Sequence, residues 1–69
     1  MRSYFITAWN RDGIVVSLGS TVRGDNADPA LVKAEALADM YPQHRFVVSN
    51  DKGRNLGSFE GDEFTYLGY

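Results

Sequence analysis

Asp28-Pro29-Ala30-Leu31-Val32-Lys33-Ala34-Glu35-Ala36-Leu37-Ala38-Asp39-Met40-Tyr41-Pro42 is the stretch on which the fold turns. Proline suits the first helical position, where its missing N–H costs no hydrogen bond, and Asp28 before it is a suitable N-cap. Pro42 cannot continue a helix, so the expected helix runs from Asp28 to about Tyr41. At 100° per residue, Ala30, Leu31, Ala34, Leu37, Ala38 and Tyr41 fall within an arc of roughly 120°. Lys33, Glu35 and Asp39 fall outside it. The segment is therefore an amphipathic helix with one buried face, and its alanines allow close approach to a sheet.

On both sides of this helix the chain carries the same punctuation. Asn10-Arg11-Asp12-Gly13 and Asn50-Asp51-Lys52-Gly53 share the pattern Asn-x-x-Gly, each between runs rich in β-branched and aromatic residues. A type I turn closed by a left-handed glycine is a common hairpin connection. Pairing outward from the first loop sets Asn10 opposite Ile14, Ala8 opposite Val16, Ile6 opposite Leu18, Phe5 opposite Gly19 and Tyr4 opposite Ser20. Alternation then gives one apolar side of Ile6, Ala8, Ile14, Val16 and Leu18. The other side holds Phe5, Thr7, Trp9, Val15 and Ser17. A one-residue slip would exchange the faces.

Arg23 to Ala27 reads as a loop by composition. After the helix, His44–Ser49 and Arg54–Phe59 read as the third and fourth strands, with Val48 opposite Leu56 and Phe46 opposite Ser58. Glu63–Tyr69 is a short fifth strand or an ordered tail, because three aromatics in seven residues are foreign to disordered segments. The expected fold is α+β, a β-β-α-β-β(-β) chain with one helix on an antiparallel sheet of strand order 2-1-3-4.

Sixty-nine residues make a single domain, residues 1–69. Such a chain buries only roughly 60% of its unfolded surface, so its stability margin is thin. There is no cysteine and one histidine, which excludes disulfides, Cys-based zinc sites and multi-histidine metal sites. Seven basic and nine acidic residues give a net charge of −2, without the basic excess of a typical nucleic-acid binder. The longest apolar run is far short of the roughly 20 residues that span a bilayer. Met1–Asn10 lacks the cleavage site of a signal peptide, so the expected location is cytoplasmic, with no membrane partner.

Each short motif has a plain structural explanation. Arg23-Gly24-Asp25 matches the integrin-recognition tripeptide, but a loop entering a helix uses those residues anyway. Asp25, Asn26 and Asp28 lack the ligand spacing of a calcium loop, and helix capping accounts for Asp28. His44, beside Arg45, has no nucleophile motif near it and reads as an edge histidine. Glu60, Asp62 and Glu63 occupy a turn, where carboxylates stay solvated instead of forming an acid–base pair. No phosphate-binding glycine loop is present. These readings imply no enzyme, cofactor or metal.

One helix covers one face of a sheet. Phe5, Trp9 and Val15, joined by Val47 and Phe59, then make a second apolar face, and such patches mark interfaces. The competing reading folds Phe64, Tyr66, Leu67 and Tyr69 back over that face. The first functional expectation is a non-enzymatic protein-binding domain, an inhibitor or regulator in the manner of small phage or mobile-element proteins. Trp9 and Phe5 are its anchors and Arg11 and Arg45 its rim, and its partner is another protein or a second copy in a homodimer. Strand addition at a sheet edge is a second docking route. The alternative is a nucleic-acid module that stacks bases on the sheet aromatics between Arg2, Arg11, Arg45, Lys52 and Arg54. An enzyme of unknown class ranks third.

Overall fold

The computed structural model describes residues 2–67, without the side chains of residues 17–19. Five strands and one helix follow in the order β1 (Arg2–Trp9), β2 (Val15–Gly24), α1 (Asp28–Met40), β3 (Arg45–Asn50), β4 (Asn55–Glu60) and β5 (Glu63–Tyr66). The strands form one antiparallel sheet ordered β2-β1-β3-β4-β5. The fold is α+β, and the four-strand expectation is extended by β5 at the edge beside β4.

Local chemistry explains both long hairpins. In each, the asparagine Oδ1 accepts two loop N–H groups: those of Asp12 and Ile14 at Asn10, and those of Lys52 and Arg54 at Asn50. Gly13 and Gly53 donate to the carbonyls of Asn10 and Asn50 and adopt φ of 80° and 81°, a region that costs glycine little. The β4–β5 turn places Gly61 at φ 62°, the first central position of a two-residue hairpin.

The helix lies on the sheet through Ala30, Ala34 and Ala38, all fully buried. Their spacing of four makes a flat ridge that lets the backbone approach closely. The bulk of the core comes from the sheet instead: Tyr4, Ile6 and Ala8 of β1, Phe46 and Val48 of β3, and Leu56 and Phe59 of β4. Leu31 and Leu37 flank the ridge half-buried, whereas Tyr41 stays largely exposed. The N-cap is Ala27, not Asp28. Asn26 displaces the expected cap by accepting the Asp28 N–H in an Asx turn, which puts Asp28 inside the first turn.

Two registers differ from the sequence expectation. In the first hairpin Trp9 pairs with Val15, but irregularities follow on each side of Ala8, giving Ala8–Ser17, Ile6–Ser20, Phe5–Thr21 and Tyr4–Val22. The expected partners Val16, Leu18, Gly19 and Ser20 are each displaced. Two single-residue shifts restore the parity of facing and set Val22 opposite Tyr4, against the core; Ile14, next to the loop and before both shifts, and Val16 are exposed. The expected inward side chain of Leu18 and outward one of Ser17 lie outside the described residues. β2 also continues to Gly24, so Arg23 and Gly24 are paired strand and not loop. In the second hairpin a shift next to Val48 pairs Val48 with Gly57 and Phe46 with Phe59. That slip turns Phe59 inward and Ser58 outward.

Candidate functional site

Direct cross-strand partners share a face, and the register lays out the side of the sheet away from α1 in four rows. Arg23 and Ser3 form the first row; Thr21, Phe5, Ser49 and Asn55 the second; Thr7, Val47, Ser58 and Thr65 the third; Val15, Trp9, Arg45, Glu60 and Glu63 the fourth. Within this face Val47 and Ser58 are buried, Thr7 and Trp9 half-buried, and Phe5 and Val15 each 37% exposed. Neighbouring side chains alone enclose Val47, for no element crosses above it among the described residues. The result is a small apolar centre bordered by hydroxyls, by Arg23 and Asn55 beyond Phe5, and by Arg45, Glu60 and Glu63 at the Trp9 end.

The structure brings together Phe5, Trp9, Val15, Val47 and Arg45 from the sequence-derived set. Arg11 sits in the exposed hairpin loop next to Trp9. Phe59 does not belong: it packs inward against Phe46 and its ring lies 4.7 Å from that of Phe64. The β-irregularity at Val48 is responsible, and no pattern in the sequence signals it. The placement of Glu60 and Glu63 beside Arg45 on this face likewise follows only from the register.

The C-terminal segment does not cover this face within the described residues. β5 lies in the plane of the sheet, and its pairing puts Phe64 and Tyr66 on the helix side, where α1 does not reach. Gly57 accounts for the seat of Phe64. A Cβ there would come within 2.6 Å of the Phe64 ring, so only glycine leaves room for it. Tyr69 lies outside the described residues.

The remaining candidates disperse. His44 stands half-buried in the turn after α1, its ring edge-on to Phe46 with a centroid distance of 6.4 Å. It lines a cavity of about 330 Å³ with apolar residues including Leu37 and Phe46, together with Tyr41 and Ser20. No carboxylate lines that cavity among the described residues. Asn26 is committed to its Asx turn with Asp28, and among the described residues no three His, Cys, Asp or Glu side chains gather as a metal site. No described helix is long and apolar enough to cross a membrane. The cations assigned to a nucleic-acid surface separate: Arg11 and Arg45 lie at the Trp9 end, whereas Arg2, Lys52 and Arg54 surround a cleft at the opposite end.

Among the described residues, two side-chain polar atoms are buried without a hydrogen-bond partner, Trp9 Nε1 and His44 Nδ1. Such a donor or acceptor costs about 1–3 kcal/mol when unpaired. No protein-family model matches the chain, and no curated protein or solved structure matches it either.

Proposed function

We propose that this domain is a non-enzymatic binding protein, an inhibitor or regulator that docks another protein on the bare face of its sheet. The observation that carries the reading is the partial exposure of Phe5 and Val15 on the same face as buried Val47, with no element of the described chain above them. An apolar centre inside a polar rim is the anatomy of a protein interface. Half-buried Trp9 extends the centre on the same face, and Arg45, Glu60 and Glu63 supply charges of both signs for orientation.

The sheet edges favour docking by the face over strand addition. β2 is interrupted by two register irregularities, which disturb the regular row of N–H and C=O groups that an added strand needs. β5 offers only four residues. Stacking of nucleic-acid bases is the weaker reading, because only Arg23 and Arg45 among the cations share the face with the aromatics, at opposite ends of it, and two carboxylates stand beside Arg45.

Phe5→Glu combined with Val15→Glu tests the proposal. Both side chains are partly exposed, so the double variant should retain its fold while partner binding weakens by about a hundredfold or more. Capture from host extract with wild type and variant side by side reads the difference. A protein retained equally by both would refute the assignment of this face. Light scattering on the purified chain identifies the case in which the partner is a second copy.

A further inference from the structure

We propose that the cleft between the start of β1 and the β3–β4 loop binds a small soluble ligand carrying a phosphate group. The cleft measures about 430 Å³, within the range of small-molecule sites. Arg2, Lys52 and Arg54 line it against a single acid, Asp51. Three of the seven basic residues thus meet in one concavity of a chain that holds nine acids. Among the described residues no ion pair engages any of the three. Like charges gathered around a hollow repel one another, and an anion placed between them relieves that repulsion.

The cations stand on a fixed frame. Asn50 Oδ1 accepts the N–H groups of Lys52 and Arg54 at 2.9 Å each, so the loop is shaped before any ligand arrives. That pre-organisation lowers the ordering cost of binding. Arg2 and Arg54 offer planar forks that match phosphate oxygens two at a time, and Lys52 adds a point charge. Tyr4 and Leu56 line the same cleft with apolar surface, a seat for the uncharged body of the ligand. The site lies at the other end of the sheet from Trp9, so it stands or falls independently of the docking face.

The chain also contains its own control. The Asn10–Ile14 loop repeats the backbone hydrogen bonds of the Asn50–Arg54 loop but carries Arg11 alone. Titration of the full chain with pyrophosphate, followed by amide NMR, should give saturable shifts at Arg2 and at Asp51 through Arg54, and none in the Arg11 loop. Lys52→Glu and Arg54→Glu, both at exposed positions, should each weaken binding by about tenfold or more. Adenosine diphosphate should bind at least as tightly through the same amides. Absent or unsaturable shifts, equal shifts around Arg11, or affinity that survives Arg54→Glu would overturn the site. A ten-nucleotide single strand that binds far more tightly than pyrophosphate and shifts amides well beyond the cleft would replace the small ligand with nucleic acid.

Discussion

Gly53 and Gly57 lie four residues apart and are glycine for different reasons. Gly53 needs its left-handed backbone, and a Cβ there would meet open space. Gly53→Ala should therefore cost about 1–2 kcal/mol from backbone strain alone, read as a lower urea midpoint. At Gly57 a methyl group would displace the Phe64 ring and its packing on Phe59. Gly57→Ala should release β5 selectively, with amide exchange at residues 64–66 accelerating while Val48 stays protected. Uniform acceleration across the sheet would contradict that account. The Asn-x-x-Gly loops were legible in the sequence because each is closed by bonds within five residues. Gly57 was not, because its reason lies in a ring on another strand.

Elements were legible to the extent that their pattern is internal. The alanine ridge of α1, its exposed charged side and its end before Pro42 all follow from spacing at 3.6 residues per turn. The depth of the ridge gives a prediction: Ala34→Leu, at a fully buried position, should destabilise by about 1–3 kcal/mol through overpacking. Val32→Leu, 68% exposed on the same helix, should stay within about 0.5 kcal/mol. Equal effects in chemical denaturation would mean that the helix does not sit tightly on the sheet. The strand irregularities at Ala8 and Val48 were not legible. An extra residue in a strand leaves no compositional mark, yet it decides which side chains face inward. At Val48 it transferred Phe59 from the expected docking face to the core, and in β2 it set Val22 in place of Ser20 opposite Tyr4.

At the scale of the whole molecule, one helix and five strands leave a sheet face that no other element covers among the described residues. Half-buried Trp9 belongs partly to the fold, so Trp9→Ala would remove stability and binding together and separate nothing. Phe5 and Val15 are the cleaner probes: their double substitution by Glu should alter unfolding free energy by no more than about 1 kcal/mol per site, the span of strand propensity. The apolar face was legible in outline, since Phe5, Trp9, Val15 and Val47 alternate along their strands. Its polar border of Glu60 and Glu63 was not, because it depends on β4 and β5 pairing across the sheet. Site-specific photo-crosslinking from position 5 in the native host, compared with position 32 on the outer side of α1, examines the docking face most directly. A discrete protein adduct from position 5 and none from position 32 is the predicted result, whereas no adduct at position 5, or the same adducts from both, would contradict it.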